Sequence, residues 1–392
     1  MFSCNGKISE KQICRMMMLY TFSGMMFILP YLSARLLGKS IVPGLLLFFV
    51  FACIYVMYIY EIAECYEGKG QKQREVGMVA QLNAAGGCGK FLLFIQWSRQ
   101  VIRLLFFALL TIELLKEAQI PFLQQGEEKK INALLAILPF LLVALYGANV
   151  AKRSGTEPKQ DIEKQGRIAE LLFWALFIPF IVVMLFGLGE VDYRIFVPHK
   201  EMSFWKMMIC GYVLLIVLLP VENYLYLRPM CVSLKRRGKQ DKEEKKDRHI
   251  RVSWKEVMGT IVLVLWISLL VIGIYGINGA ANEEMVTIAI MRYIRLPFNI
   301  LQRFDVLMIW FLMTGCFVLL CSGFYFSARL LAVFFPNWSR VWLLAVILLL
   351  VVIGILCLPG YREMFMGFLR YAMFVDIPLS VLIPAVGLRC RR

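Results

Sequence analysis

The stretch MMMLYTFSGMMFILPYLSA, residues 16–34, decides the class of this protein. It runs 19 residues without a charged side chain. A helix needs about 20 apolar residues to cross a bilayer core of about 30 Å. The apolar residues are continuous rather than alternating, which points to a helix and away from a barrel strand. Outward from it, nine further segments read the same way: 41–60, 91–115, 131–151, 168–188, 205–227, 254–275, 304–328, 341–358 and 369–388. Asp376, Pro378 and Pro384 interrupt the last of them. The composition of the 392 residues agrees, at 60% apolar, 14% aromatic and 18% charged. Soluble domains average about 45–50% apolar and about 25% charged. Disordered, collagenous and ordinary soluble enzyme classes are therefore excluded. The expectation is an all-α polytopic membrane protein of about ten transmembrane helices.

Lys7, Lys11 and Arg15 precede the first span, as cations precede a secretory signal. The apolar run is too long for a signal core and contains Pro30, so it reads as a retained span. An even number of spans puts both termini on one side. With that side inside, the inner segments hold 28 Lys and Arg and the outer ones 13. Cytoplasmic loops carry the excess of Lys and Arg, which places both termini in the cytoplasm. The formal charge of +16 is thus an orientation signal. The richest inner loop, 228–255, contains KRRGKQDKEEKKDRH without an interleaved aromatic residue. It reads as a solvated, lipid-facing linker or a dock for a cytoplasmic partner, and not as a nucleic-acid site. The chain forms one integral membrane domain, with halves at 1–203 and 204–392.

Eleven cysteines are scattered without a C-x-x-C pair, and His199 and His249 lie in different loops. Neither a disulfide framework, a metal site nor a cofactor site is expected. The segment NAAGGCGKF at 83–91 imitates a phosphate loop, but Ala84 and Phe91 stand where Gly and Ser or Thr are required. It reads as a flexible lead into the third span, with Gly89 near the helix start. No G-x-S-x-G, H-E-x-x-H or paired catalytic carboxylates occur, so no enzyme is expected.

Two features point to a ligand. Thr21, Ser23 and Gly24 form a small polar patch in the first span, six residues before Pro30 at its nearest. Proline removes a backbone donor and clashes with the preceding turn, so an unwound stretch is expected there. Gly211, Tyr212 and Pro220 form a counterpart in the sixth span. Transporters use such breaks to offer free backbone groups to a substrate. The plain alternative is a proline kink without a ligand. Ionisable residues within spans are the second feature: Arg99, Arg103 and Glu113 in the third, Glu222 in the sixth, Arg303 and Asp305 opening the eighth, Asp376 in the tenth. Charges at membrane depth face a cavity or a partner, although Arg303 and Asp305 are near enough to the outer interface to snorkel. Arg99 and Arg103, four apart, share a face. Glu113 lies about 21 Å beyond Arg99 along the axis, out of pairing reach. Arg103, the most central, is expected to attract a carboxylate or to stabilise the bundle.

Several segments, in order, resemble the B-subunit or permease family of spore germination nutrient receptors, within the amino acid–polyamine–organocation transporter superfamily. They are KISEKQ at 7–12, where Ser9 and Gln12 also fit a capping box, ILP at 28–30, DIEKQGRIAELLF at 161–173, VDYRIFVP at 191–198, LPFNILQRFDVLMIW at 296–310 and IPLSVLIPAVGLRCRR at 377–392. The resemblance implies a five-plus-five inverted repeat with broken helices 1 and 6. It implies a small, amino-acid-like nutrient bound at the midplane. It also implies an A-type receptor subunit and a C-type lipoprotein as partners in the spore inner membrane. Aligned on Pro30, Ser23, Gly24 and Met25 stand where relatives often carry Gly-x-Gly, which makes unwinding of the first span less favourable. A signalling permease is the leading expectation, and an ion-coupled amino acid transporter of the same fold the alternative.

Overall fold

A computed structural model describes residues 9–67, 77–117, 129–149, 160–197, 203–230, 242–290, 304–357 and 361–389. Among them there is no strand. The chain runs through α1 (Glu10–Leu37), α2 (Ile41–Glu67), α3 (Met78–Ala84), α4 (Gly86–Glu117), α5 (Lys129–Asn149) and α6 (Gln160–Phe186). It continues through α7 (Phe204–Leu214), a 3-10 segment (Leu215–Asn223), α8 (Tyr224–Leu227), α9 (Lys242–Tyr275), α10 (Ile277–Asn282) and α11 (Val286–Ala289). It closes with α12 (Phe304–Leu331), α13 (Arg340–Cys357), α14 (Tyr361–Tyr371), a π-helical turn (Ala372–Asp376) and α15 (Ile377–Arg389).

Six helical stretches among the described residues are long and apolar enough to cross a membrane: Glu10–Tyr66, Phe204–Leu227, Trp254–Tyr275, Ile309–Leu331, Arg340–Cys357 and Met364–Arg389. The first is two helices, α1 and α2, turned by a 3-10 step at Gly38–Ser40, where Gly38 has φ 51°. The remaining predicted spans, 91–115, 131–151 and 168–188, lie largely within α4, α5 and α6.

α1 occupies the centre. Every residue from Leu19 to Ala34 is buried, as a helix apolar on all sides must be. It packs against α6, α9, α10, α12 and the 3-10 segment. Its start is fixed by the expected capping box: Gln12 N–H donates to Ser9 Oγ at 3.2 Å, and Ser9 N–H to Gln12 Oε1 at 3.1 Å. Next to it, Arg15 pairs with Glu170 of α6, and Cys14 donates to Glu256 of α9.

Three expectations are corrected. The first span is not broken, because α1 continues as α-helix through Thr21, Ser23, Gly24 and Pro30. Residues 83–91, expected as a flexible lead with Gly89 near the helix start, are helical on both sides of one joint, with Gly89 in the first turn of α4. α3 and α4 meet at Ala85–Gly86, Gly86 takes φ 74°, and Gly89 packs so closely that a Cβ would lie 1.8 Å from the Leu82 carbonyl. The basic loop 228–255 is partly helical, with α9 starting at Lys242, while 231–241 lies outside the described residues. Also outside them are His199, Arg303 and most of the 296–310 segment; Asp305 lies in α12, its surroundings undescribed.

Candidate functional site

The break expected in the sixth span is present. α7 gives way at Leu215 to nine residues of 3-10 helix containing Pro220. Runs of 3-10 helix beyond three or four residues are uncommon, and one inside a longer helix marks a hinge or strain. Every residue of this segment is buried. In the 3-10 pattern the N–H of residue 220 would bond the carbonyl of residue 217. Pro220 has no N–H, so the Val217 carbonyl lacks that donor.

Gly24 of α1 meets the segment at this point. A Cβ on Gly24 would lie 3.0 Å from the Val217 carbonyl oxygen and 3.3 Å from Pro220 Cγ. The glycine therefore serves close approach between two elements and not unwinding of its own helix. Beside this contact is a cavity of about 10 Å³ walled by Gly24, Ile28, Arg103, Phe106, Val217 and Pro220, with Phe107, Ile216, Leu219 and Phe368 completing it. That volume has room for about one water. Phe106 of α4 and Phe368 of α14 stack at 3.9 Å on its far side.

Arg103 brings a charged group to this wall, and its charge is already matched. Gln96, Arg99, Gln100 and Arg103 fall at i, i+3, i+4 and i+7 of α4, a single polar stripe. Two carboxylates close on it. Arg99 Nε donates to Asp376 Oδ1 at 2.6 Å and Arg99 Nη2 to Glu222 Oε2 at 2.9 Å. Arg103 Nε donates to Asp376 Oδ2 at 2.7 Å, and its Nη2 to Asp376 Oδ1 and Glu222 Oε2, each at 2.7 Å. Gln96 Nε2 adds a bond to Glu222 Oε1 at 2.7 Å, and Gln100 Nε2 bonds Asn223 Oδ1 at 3.3 Å. Arg99, Arg103, Glu222 and Asp376 are 1, 4, 0 and 0% exposed, and their formal charges cancel. A buried charge is tolerated when paired and hydrogen-bonded in this way.

Asp376 reaches the arginines from the π-helical turn, and Arg99 Nη2 also takes its backbone carbonyl at 3.0 Å. A π-turn holds one residue more than an α-turn and frees carbonyls from their usual donors; such turns recur at functional sites. Tyr212 caps one of these carbonyls, with its hydroxyl donating to Met373 O at 2.9 Å.

Of the expected site residues, the structure brings Gly24 and Arg103 to one cavity. Thr21 donates to Met17 O at 2.8 Å within its own helix. Ser23 Oγ is buried without a hydrogen-bond partner among the described residues and faces α12, where a Cβ on Gly315 would lie 2.4 Å from it. Gly211 packs against the Phe51 ring of α2, 3.2 Å from an added Cβ. Gly211 and Tyr212 precede the break and do not line this cavity. Sequence reasoning noted Glu222 and Asp376 as charges in apolar spans, but did not pair them with α4. Gln96 and Gln100, on the arginine face, were the signal for a polar stripe. Among the described residues no group of His, Cys, Asp and Glu could hold a metal ion.

No protein-family model matches the chain, and no curated protein matches it. Among solved structures, the inward-facing conformation of Mhp1 is similar over 95% of this chain and 75% of that one, with a TM-score of 0.55 and 13% identity. The two chains share a fold. At this identity the likeness establishes a shared architecture alone. With its long apolar helices, the chain is an integral membrane protein.

Proposed function

We propose that this chain is a permease-like membrane subunit that binds a small, amino-acid-like nutrient and passes the event to partner subunits, as in a spore germination receptor. The observation that carries the reading is the cavity where Gly24 abuts the Pro220 break and Arg103 supplies the one ionisable side chain of the wall. The other wall side chains are apolar. No chemical transformation of the ligand is proposed. On this reading the chain crosses the membrane ten times as two inverted five-helix repeats, with both termini cytoplasmic, in the spore inner membrane.

The order of the segments at 7–12, 28–30, 161–173, 191–198, 296–310 and 377–392 supports a receptor role, with an A-type subunit and a C-type lipoprotein as partners. A ligand drives such a signal only through different affinity for two conformers. The 3-10 segment is a suitable element, since a proline-bearing 3-10 run and an α-helix are neighbouring states of one backbone. The test is affinity purification from the native membrane followed by mass spectrometry. Recovery of both partners in comparable amounts is expected. Recovery of the chain alone would move the reading to an ion-coupled amino acid transporter, which the same fold accommodates, and uptake into liposomes under a proton or sodium gradient would then identify it.

A further inference from the structure

Pro30 lies inside α1 and has no N–H. In an α-helix the N–H of residue 30 would bond the carbonyl of residue 26, so the Met26 carbonyl lacks its helical donor. An unpaired carbonyl within the bundle is costly. α1 nevertheless stays α-helical from Glu10 to Leu37. The missing bond comes from another element: Thr287 Oγ1 of α11 donates to Met26 O at 2.9 Å.

Other threonine hydroxyls stay within their own helices. Thr21, Thr111, Thr260 and Thr314 each donate to the carbonyl four residues back, the local choice open to a helical threonine. Thr287 instead reaches a residue 261 positions away. It is the one polar side chain in the run 285–290, every residue of which is buried. A hydroxyl is tolerated in such a run when it is hydrogen-bonded.

The π-turn repeats this chemistry. Ile377 N–H bonds the Ala372 carbonyl, five residues back. In that register Pro378 frees the Met373 carbonyl, and Tyr212 caps it. Tyr212 stands on α7, a helix of 11 residues. Thr287 stands on α11, of four residues, preceded by α10, of six. Helices so short are not stable alone, so packing sets their place. α10 packs on α1 and on the Gly38–Ser40 step, and α11 on α1, α9 and α12. The segment leaves α9 at Gly276, whose φ of 81° and ψ of 153° are open to glycine almost alone. Residues 277–289 thus form a strap over α1, tied to it where its own hydrogen-bond ladder is broken.

We propose that Thr287 stands in for the amide that Pro30 lacks, and that the strap 277–289 is a switch for α1. Seated, the strap keeps α1 helical through Pro30. Withdrawn, it leaves the Met26 carbonyl unpaired, and α1 bends at its proline, as helices do where nothing compensates for one. Gly24 lies six residues before Pro30, about 9 Å along the axis, so the bend reaches its close contact with Val217 and Pro220. The inference stands without any ligand at that contact.

The test is hydrogen exchange on the full chain purified in detergent, read over residues 27–34 of α1, with residues 343–355 of α13 as the reference. Thr287→Val keeps the shape and loses the hydroxyl. Exchange at 27–34 should quicken about tenfold, as for the loss of one hydrogen bond, and at 343–355 by less than about twofold. Thr287→Ser keeps the donor and should stay within about threefold of the unaltered chain. Pro30→Ala returns an amide to Met26, so in that background Thr287→Val should change exchange at 27–34 by less than about threefold, as a double-mutant cycle requires of coupled residues. Unchanged exchange in Thr287→Val, equal quickening in Thr287→Ser, or equal quickening of both regions overturns the inference. An undiminished effect of Thr287→Val in the Pro30→Ala background overturns it too. If Thr287→Val alone does not fold, the double variant decides: recovery of folded protein with Pro30→Ala supports the inference, and failure of the double variant as well overturns it.

Discussion

Arg103 and Asp376, 273 residues apart in sequence, meet side-on inside the bundle, Nε to Oδ2 and Nη2 to Oδ1, each at 2.7 Å. A two-point contact between a planar guanidinium and a carboxylate is among the more directional polar contacts proteins make. It fastens the last helix to α4 at the level of the cavity, and Glu222 fastens the end of the 3-10 segment to the same two arginines.

Removing one member of this cluster should cost more than removing a pair. Arg103→Met leaves a buried carboxylate short of a partner, and breaking a buried ion pair from one side costs about 3–5 kcal/mol. The double variant Arg103→Met with Asp376→Leu should recover most of that loss. Thermal unfolding in one detergent reads both. A double variant no more stable than the single one would show that the pair is not energetically coupled.

Gly24→Val fills the space between α1 and the 3-10 segment. The Cβ alone would lie 3.0 Å from the Val217 oxygen, and overpacking costs about 1–3 kcal/mol. Ligand binding should be abolished while the protein still reaches the membrane. Gly211→Ala, which meets only the side chains of Phe51 and Leu47, should leave binding within about a factor of three. Equilibrium binding on both variants checks the contrast, and equal losses would remove Gly24 from the site.

Pro220→Ala returns a backbone N–H to a segment buried along its length. The α-helical form should gain ground over 215–223, since Ala is the best helix former and Pro the worst. Slower amide exchange in that segment and a ligand response at least fivefold weaker are expected. Unaltered exchange would mean that packing, and not the proline, sets the 3-10 geometry.

Tyr212→Phe removes the hydroxyl that bonds Met373 O in the π-turn. One such bond contributes about 0.5–1.5 kcal/mol. The loss should appear as a lower melting temperature and faster exchange at 372–376. A Tyr212 that bound ligand directly would instead give unchanged stability and a lost response, which ligand-free unfolding separates.

Much of the fold was legible in the sequence because its signals are local. Apolar runs of about 20 residues identify membrane helices whatever surrounds them, and the Ser9–Gln12 box caps α1 as its spacing implies. Arg99 and Arg103 share a face because they are four apart on a helix. Pro220 marked the break in the sixth helix for the same local reason. Pro30 misled because proline permits several outcomes: buried from Leu19 to Ala34, α1 stays α-helical through it among neighbours on every side. Gly24 was expected to loosen α1, whereas its missing side chain admits Val217 and Pro220.

The sequence alone determined that this is a helical membrane protein, because length and apolarity of segments set their partition into a bilayer residue by residue. It also determined that four ionisable residues, Arg99, Arg103, Glu222 and Asp376, must be accommodated at membrane depth. Which of them meet was decided by the tertiary structure. Pairing across 123 and 273 residues depends on how α4, the 3-10 segment and the last helix pack. In that packing the π-turn aims Asp376 at two arginines, and Tyr212 donates to its Met373 carbonyl.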